Sequence, residues 1–484
     1  MNTPLRRLAI VAFALFASLL ASTTFTQFVS AGDLRADARN TRTILDELSR
    51  ERGPIVVGDE PVVTSVPVDD RYEFQRTYTD AELYAHATGF YSLVYGATGI
   101  EGTESTLLAG TADQQFYSRL SDTLSGRQPK GATVELTIDP AVQRAAWDAL
   151  GDQRGAVVAL DPRTGDILAM VSKPSYDPNL LAGHDRTAVV ENREALLAQE
   201  GSPLTNRAIA GNLYPPGSVF KLATAAAAIE SGAYDENSVL PGPAELDLPQ
   251  TTAQLHNSGG RACGPGDKVS LSNAIRISCN TAFGHLGMEL GGDAIREQAD
   301  AFGFGSDLRI PLKVTPSTIP DELNKPQEAQ TAIGQYETRV TPLQVAMVSA
   351  AIANGGELMR PNLVREVVAD DLDVLVPSDP QSMGNPVSDE TARSLTAMME
   401  LVVEDGTGTA AQIDGVAVAG KSGTAQHAEG ASPHAWFTSF APADDPEVAV
   451  AVVVERGGTA GDEASGGRTA APIARAVMQA VINP

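Results

Sequence analysis

The sequence has few of the residues on which several common kinds of protein chemistry depend. Cys263 and Cys279 are the only cysteines, which excludes a disulfide-dense scaffold and leaves no Cys-x-x-Cys pair for zinc or redox chemistry. The six histidines form no His-Glu-x-x-His pattern, so the minimal signature of a zinc hydrolase is missing. No Gly-x-Ser-x-Gly elbow is present, which disfavours a Ser-His-Asp hydrolase. We therefore interpret the histidines as ordinary polar or core residues.

Positive charge is also scarce. The chain carries 35 Lys and Arg against 61 Asp and Glu, a formal net charge of −26 at pH 7. This balance argues against a nucleic-acid partner, because phosphates need basic surfaces. Only seven residues are lysine, so a lysine inside a motif is more informative here than in a lysine-rich protein.

The amino terminus carries an apolar segment that predicts either a membrane helix or a secretion signal. Arg6 and Arg7 precede the stretch 8–29, which as a helix would reach roughly 33 Å, enough to span a bilayer core. The alternative is a cleaved signal, because residues 29–31 resemble a small-residue cleavage site. In both cases the arginines stay inside, and everything after residue 30 lies outside the cytoplasm.

The rest of the chain, long enough for two or three domains, divides into two parts. Nothing in residues 31–130 is predicted to be catalytic, and we expect a small structural or dimerisation-like module, with a polar helical stretch opening at residues 39–42. Residues 131–484 contain regular elements separated by turns. We expect strands over 134–138, 156–160, 167–171, 416–426, 435–440 and 448–455, and helices over 141–150, 218–230, 344–353, 389–404 and 470–482. Strands at both ends of a helical middle predict an α+β domain with one mainly antiparallel sheet flanked by helices.

Ser218 and Lys221 lie at the start of a predicted helix that is apolar on all sides. Such a helix must lie inside a domain, and residues three apart share one face of it. A neutral lysine takes the proton of a serine hydroxyl when burial and nearby positive charge disfavour its ammonium form. Ser-x-x-Lys alone is a weak pattern, because a serine that opens a helix is more often only a cap.

Two further motifs strengthen the catalytic interpretation. Ser278-Cys279-Asn280 lies between helical patterns, and Lys421-Ser422-Gly423-Thr424 lies on a predicted strand. In this order and at these separations, Ser-x-x-Lys, Ser-x-Asn and Lys-Ser-Gly form the motif set of serine β-lactamases and penicillin-binding proteins. The combined pattern predicts an acyl-transfer site.

Each motif has a predicted task in acyl transfer. Lys421 supplies a cation for the free carboxylate of a D-Ala-D-Ala stem, and the hydroxyls of Ser422 and Thr424 add hydrogen bonds. Gly423 lets the substrate backbone approach the strand closely. The N–H groups of Ser218 and Thr424 are expected to form the oxyanion hole.

The Ser-x-Asn motif completes this scheme. Ser278 is expected to relay a proton to the leaving amine, and Asn280 to hold the substrate amide.

The chain resembles class B penicillin-binding proteins over nearly its full length. The stretch from Tyr214 to Lys221 is similar to the family's nucleophile motif. The module of about 100 residues, and an end directly after the final helix, are most similar to the actinobacterial A subgroup. Further stretches resemble family landmarks: 206–208, 334–335, 341–344, 353–356, 52–55 and 99–101.

This resemblance implies a membrane-anchored peptidoglycan D,D-transpeptidase that penicillin recognises, with an uncleaved anchor over residues 1–30 and its catalytic domain outside the membrane. It implies no metal or organic cofactor, and stem peptides and β-lactams as ligands. It also implies a SEDS-family glycosyltransferase as a partner, because class B proteins lack a glycan-polymerising domain. Ser422 in place of the commoner Thr, and Cys279 inside Ser-x-Asn, depart from the pattern without removing a required group.

Other functions remain open from the sequence alone. A class A β-lactamase needs a glutamate near the site, and its Glu-x-x-Leu-Asn signature is only half met at Leu323-Asn324, because residue 320 is Pro. A D,D-carboxypeptidase differs only in whether water or an amine attacks the acyl-enzyme. From another class, a catalytically silent scaffold would bind cell-wall or division partners through residues 31–130, but such a scaffold would tolerate loss of the catalytic residues.

Cys263 and Cys279 are also candidates for a disulfide. They are the only cysteines in a domain expected in an oxidising compartment. The alternative is two small buried residues, since sequence gives no distance between them. A bond would tether the Ser-x-Asn loop and help to fix Ser278 and Asn280.

Overall fold

The protein is described by a computed structural model that covers residues 2–29, 49–115, 130–211, 213–427 and 430–483. The helical stretch expected at residues 39–42 lies outside these ranges. The α-helices are α1 (Asn2–Thr24), α2 (Ala81–Thr88), α3 (Gly99–Thr103), α4 (Ser105–Leu108), α5 (Pro140–Leu150), α6 (Asn179–Ala182), α7 (Arg186–Ala198), α8 (Lys221–Glu230), α9 (Leu271–Arg276), α10 (Asn280–Leu290), α11 (Gly292–Ala301), α12 (Lys325–Thr331), α13 (Pro342–Ala353), α14 (Asp389–Asp405) and α15 (Ala471–Ile482).

Helix α1 is long and apolar enough to cross a membrane. The span Thr3–Gln27 has a mean hydropathy of 2.1, and none of it is buried against the rest of the described chain. The 23 residues of α1 reach roughly 35 Å as a helix, which is long enough for a bilayer core. One N-terminal apolar helix is therefore consistent with a single membrane anchor.

A five-stranded antiparallel sheet forms the centre of the larger domain. Its strand order is β17-β18-β19-β7-β8. Side chains alternate between its two faces: Ala156 and Val158 pack in the core that contains α13, whereas Val157 and Ala159 pack with α5 and α15. Both faces are covered, which explains why β7 and β19 are uniformly apolar, whereas β17 carries the polar Lys-Ser-Gly motif. The strands are β7 (Gly155–Leu160), β8 (Ile167–Lys173), β17 (Ala419–Ala425), β18 (His434–Ala441) and β19 (Val448–Val454).

The expected α+β fold, with a mainly antiparallel sheet flanked by helices, is confirmed. Local signals explain several helix starts. The Asp139 side chain accepts the N–H groups of Ala141 and Val142 at the start of α5, with Pro140 at the first helical position. Thr341 caps α13 in the same way.

A second sheet has six strands in the order β15-β14-β6-β1-β2-β3. It combines strands from both sides of residue 130, since β1 pairs with β6 in parallel and β6 pairs with β14. The domain boundary at residue 130 stays a prediction, and strands from both sides of that boundary belong to this one sheet. The strands are β1 (Ile55–Val57), β2 (Glu60–Pro67), β3 (Phe74–Tyr78), β6 (Thr133–Leu136), β14 (Val364–Val368) and β15 (Val374–Val376).

The remaining strands form two-stranded pairs. The pair β10–β11 and the pair β9–β12 lie in the segment between α8 and α9, which later contributes to the site. These strands are β4 (Tyr91–Ser92), β5 (Gly96–Ala97), β9 (Val239–Pro241), β10 (Glu245–Asp247), β11 (Gln254–His256), β12 (Lys268–Ser270), β13 (Leu358–Met359) and β16 (Ser382–Gly384).

A buried ion-pair cluster lies beside the six-stranded sheet. The Glu101 carboxylate is fully buried and accepts hydrogen bonds from the guanidinium groups of Arg52 and Arg76. Burial alone would raise the pKa of Glu101, but the two guanidiniums outweigh it and the pKa is lowered. Arg76 also donates to the carbonyl of Gly53, so the cluster links β3 with the segment before β1.

Candidate active site

The predicted nucleophile lies on a tight turn that glycine makes possible. Ser218 is half-buried in a 3-10 turn, Gly217–Phe220, that runs directly into α8. Gly217 has φ +57°, and a Cβ at that position would lie 2.8 Å from the carbonyl oxygen of Thr424. The glycine therefore allows the turn to pack closely against β17. Its N–H donates to the carbonyl of Gly334 at 2.8 Å.

Lys221 begins α8 and is fully buried. Its Nζ donates to the carbonyl oxygen of Ser278 at 2.8 Å and to Asn280 Oδ1 at 2.8 Å, with Ser278 Oγ at 3.3 Å. Burial first, and then the nearby charge of Lys421, lower the pKa of Lys221 well below its ordinary value. These surroundings favour the neutral amine that a general base requires.

Ser278 lies in the short connection between α9 and α10. Its φ is +59°, a left-handed conformation that is uncommon for serine. This conformation accompanies a hydroxyl placed between two amines, because Ser278 Oγ is also 2.9 Å from Lys421 Nζ. Ser278 is therefore within hydrogen-bond distance of both lysines.

Lys421 lies on β17, where it is fully buried and also donates to the carbonyl of Ser422 at 2.8 Å. Burial lowers the pKa of Lys421 to about 7. Its side chain is absent from the cavity wall, so the expected direct contact between Lys421 and a substrate carboxylate stays a prediction. The hydroxyl of Ser422 does reach the wall, and it lies 2.6 Å from the hydroxyl of Thr407.

Gly423 packs against the turn that carries the nucleophile. A Cβ there would lie 3.0 Å from Val219 Cγ1 and 3.1 Å from Trp436 Cβ, so the glycine allows the nucleophile turn to pack on the strand. Its predicted role toward a substrate backbone is not tested by this packing. Thr424, the next residue, is exposed at the cavity.

A cavity of about 900 Å³ opens above these groups. The strand segment of the Lys-Ser-Gly motif, the segment 254–258 and the segment 463–467 form its walls. From the three motifs, the lining residues are Ser218, Ser278, Asn280, Ser422, Gly423 and Thr424. In the described ranges, no group of three or more His, Cys, Asp or Glu side chains is arranged to hold a metal ion.

The two cysteines are joined in the structure. A disulfide links Cys263 to Cys279, with a Cα–Cα distance of 6.0 Å. Cys279 precedes α10 as its N-cap residue, so the bond attaches the loop before β12 to the Ser-x-Asn motif.

A family comparison identifies the fold that carries this arrangement. Residues 155–479 match the model described as the penicillin binding protein transpeptidase domain, and these residues make up more than half of the chain. The chain belongs to the penicillin-binding transpeptidase family. Residues 52–134 match a second model, described as the penicillin binding protein A dimerisation domain.

Full-length relatives confirm the resemblance seen in the sequence. The peptidoglycan D,D-transpeptidase PbpA of Mycolicibacterium smegmatis is 46% identical over 100% of this chain and 99% of the relative. The protein of the same name from Mycobacterium tuberculosis is 45% identical over the same shares. A solved structure of penicillin-binding protein A from M. tuberculosis, a ceftriaxone acyl-enzyme complex, matches with a TM-score of 0.88 and 44% identity. That match covers 91% of this chain and 100% of the solved one.

This transpeptidase site also contains residues that the sequence patterns did not indicate. Asn257 and Thr407 line the cavity and contact the Ser-x-Asn and Lys-Ser-Gly motifs. Asn257 stands before Ser-Gly-Gly, a composition that predicts only a turn. Thr407 lies between two glycines after α14, and nothing in that composition predicts a contact with Ser422.

Proposed function

We propose that this protein is a membrane-anchored peptidoglycan D,D-transpeptidase whose acyl-enzyme forms on Ser218. One observation carries the assignment: residues of all three motifs line one cavity, and Lys221 is a fully buried amine that is hydrogen-bonded to the Ser-x-Asn motif. A site for acyl transfer needs a serine beside a base that is neutral near pH 7 and a relay to the leaving amine. The names of the mycobacterial relatives support the same assignment.

The first half-reaction forms the acyl-enzyme. Ser218 Oγ attacks the carbonyl carbon between the two D-alanines of the donor stem, and its proton passes to Lys221 Nζ. The N–H groups of Ser218 and Thr424 stabilise the oxyanion. The C–N bond then breaks, and the leaving D-Ala amine takes a proton through Ser278 Oγ, which contacts both lysines.

The second half-reaction joins two stems. A primary amine of an acceptor stem attacks the acyl carbonyl and loses a proton through Ser278 to Lys221. The new amide forms as the bond to Ser218 Oγ breaks, and the hydroxyl regains its proton. Asn280 and the hydroxyls of Ser422 and Thr424 hold the donor.

Two alternatives share the first half-reaction. Water replaces the amine in a D,D-carboxypeptidase, and a β-lactamase needs a carboxylate to activate that water. Among the cavity-lining residues that the structure describes, Glu463 is the single carboxylate, and its side chain is exposed beside Arg468 at 3.9 Å. This position favours a transpeptidase over a β-lactamase. A non-catalytic scaffold has no use for a buried lysine pair.

We place the chain in the cell membrane as a single-pass protein. Residues 1–30 form the cytoplasmic tip and anchor, residues 31–130 the non-catalytic module and residues 131–484 the catalytic domain, outside the cytoplasm. The paired arginines before the apolar helix support this orientation. We further propose a SEDS-family glycosyltransferase as partner, which would supply the glycan strands that this enzyme cross-links.

Labelling with a fluorescent penicillin tests the assignment. The intact protein should acquire one adduct, and mass spectrometry should place it on the Ser218 peptide. Ser218→Ala should abolish labelling, whereas Ser231→Ala, one residue after α8, should label normally. An adduct on another serine, or undiminished labelling of Ser218→Ala, would exclude Ser218. Supplying a D-amino acid with a donor peptide then distinguishes amide formation from hydrolysis.

A further inference from the structure

Asn257 is buried beside the Ser-x-Asn motif, and both the oxygen and the nitrogen of its side-chain amide make hydrogen bonds. It follows β11 directly and is 8% exposed. Its Oδ1 accepts the backbone N–H groups of Asn280 at 2.9 Å and Thr281 at 3.0 Å. Its Nδ2 donates to the carbonyls of Pro243 at 2.8 Å and Arg261 at 2.9 Å, with Thr281 Oγ1 at 3.0 Å. The amide therefore uses its full donor and acceptor capacity.

The hydrogen bonds that Asn257 Oδ1 accepts supplement a weak N-terminal cap of α10. The first N–H groups of a helix have no partner within the helix, and a Ser, Thr, Asp or Asn side chain at the N-cap usually accepts one of them. At the start of α10 the N-cap is Cys279, whose disulfide sulfur is a weak acceptor, 3.4 Å from the N–H of Ala282. Asn257 satisfies two of the N–H groups from another segment.

The residue that begins this helix, Asn280, is part of the catalytic cluster. Its Oδ1 accepts from Lys221 Nζ at 2.8 Å, and its Nδ2 donates to the carbonyl of His256 at 2.9 Å. His256 immediately precedes Asn257, so one short segment fixes both the backbone and the amide orientation of Asn280. The amide oxygen is thereby directed toward the lysine.

We propose that Asn257 is a positioning residue of this transpeptidase: it holds the start of α10 so that the Asn280 amide oxygen faces Lys221. The proposal rests on the proposed acyl-transfer function. The disulfide joins the same two segments, but it restrains only the distance between Cys263 and Cys279. The hydrogen bonds that Asn257 Oδ1 accepts from the N–H groups of Asn280 and Thr281 also fix the direction of the Asn280 backbone.

Substitution in the full-length protein, purified in detergent, tests this role through the rate constant for acylation by penicillin G. Asn257→Ala should slow acylation by about 10- to 100-fold, because two buried N–H groups lose their acceptor and Asn280 loses its position. The acidic limb of the pH profile should also move to lower pH. An acceptor favours the ammonium form of Lys221, so losing the Asn280 contact makes the amine easier to deprotonate.

Two variants separate positioning from stability. The Asn179 amide accepts the N–H of Tyr78 and donates to its carbonyl, and Asn179 does not line the cavity, so Asn179→Ala should lower the melting temperature while leaving the acylation rate and pH profile unchanged. Asn257→Asp keeps the oxygen acceptor but replaces the donor nitrogen with a second oxygen, which would face the carbonyls of Pro243 and Arg261 and repel them. It should lose stability yet acylate faster than Asn257→Ala. Should Asn257→Ala fail to fold, Asn257→Asp and Asn257→Ser are compared by the same two readouts.

The outcomes are distinct. Acylation of Asn257→Ala at the wild-type rate and with the wild-type pH profile would overturn the positioning role and leave the proposed function intact, provided that Ser218→Ala is inert. Equal slowing in Asn179→Ala would show a general stability effect and would also overturn it. A wild-type protein that penicillin does not acylate would overturn both proposals.

Discussion

At the residue scale, the site is built around two buried lysines that share one serine hydroxyl. Both amines are removed from water, which disfavours their charged forms, and the charge of Lys421 further disfavours that of Lys221. Ser278 then connects them without adding charge. This arrangement supports the proposal that an amine, rather than a histidine or a carboxylate, acts as the base.

Replacing Lys221 with arginine tests whether the neutral amine matters. Arginine keeps the positive charge but cannot give up its proton in a protein, so Lys221→Arg should reduce the acylation rate constant by about 10²- to 10⁴-fold. Stopped-flow acylation with penicillin G measures the effect. Lys173→Arg is the matched control, because Lys173 is partly buried against the Trp147 ring outside the cavity. Near-normal acylation by Lys221→Arg would remove the lysine from the proton-transfer step.

The lowered pKa of Lys421 predicts a pH-dependent stability. Between pH 7 and 10.5 the unfolded chain holds this proton and the folded chain does not, so stability should rise with pH across that window. The slope would reach at most about 1.4 kcal/mol per pH unit. Lys421→Met should reduce this rise and leave the part that the buried amine of Lys221 contributes, measured by comparing urea unfolding of the two proteins across the pH range. Lys268→Met, at an exposed position, should keep the full rise; a smaller rise there, or an undiminished rise in Lys421→Met, would contradict the burial argument.

At the element scale, the segment that follows β11 holds the Ser-x-Asn loop in place through Asn257 and the disulfide of Cys263. The disulfide predicts that denatured, unreduced protein contains no free thiol and forms no intermolecular dimer. Closing a loop of about 16 residues contributes roughly 3 kcal/mol in the chain-entropy model. Reduction should therefore lower stability and slow acylation without unfolding the domain. Two free thiols on counting, or an unchanged acylation rate after verified reduction, would contradict this expectation.

The sequence predicted the large elements well and the small ones poorly. Strands β18 and β19 and helices α13 and α15 contain long runs of apolar residues, so the hydrophobic pattern of the sequence is enough to predict them. The six-stranded sheet was not predicted, because β1 and β15 contain only three residues each, and because β6 pairs with β1, 79 positions before it, and with β14, more than 200 positions after it. Local pattern carries no information about such partners.

The same distinction applies to the site. Residues that form short local motifs, such as Ser218 with Lys221, were predicted from their spacing. Asn257 and Thr407 act through tertiary contacts with partners 23 and 15 positions away, and no local pattern records such contacts. Lys421 is fully buried and does not line the cavity, and its motif alone does not predict how deeply a residue is buried.

At the scale of the whole molecule, the six-stranded sheet joins the amino-terminal module to the catalytic domain. Strands β1, β2 and β3 continue through β6 into β14 and β15, which follow the nucleophile in sequence. A shared sheet transmits loss of stability from one part to the other. Both tryptophans, Trp147 and Trp436, lie after residue 130, so their fluorescence reports unfolding of the catalytic part.

Removing the Glu101 charge tests this coupling. Glu101→Gln leaves two buried guanidiniums without their carboxylate, which should cost about 3–5 kcal/mol of folding free energy. Because the pKa of Glu101 is lowered in the folded state, the charge stabilises the protein above the ordinary pKa and loses this effect as the pH falls through the folded value. In Glu101→Gln, the free energy of unfolding should therefore also fall less steeply as the pH is lowered.

The measurement is urea unfolding followed by tryptophan fluorescence. If the sheet couples the two parts, the fluorescence midpoint of Glu101→Gln should fall, although Glu101 lies outside residues 155–479, which match the transpeptidase domain. Glu135→Gln is the matched control, since Glu135 lies on β6 in the same sheet but pairs with Arg365 near the surface, where an ion pair contributes about 0–1 kcal/mol. An unchanged fluorescence midpoint in Glu101→Gln, with a separate earlier transition by circular dichroism, would show that the module unfolds independently and that the shared sheet does not couple them.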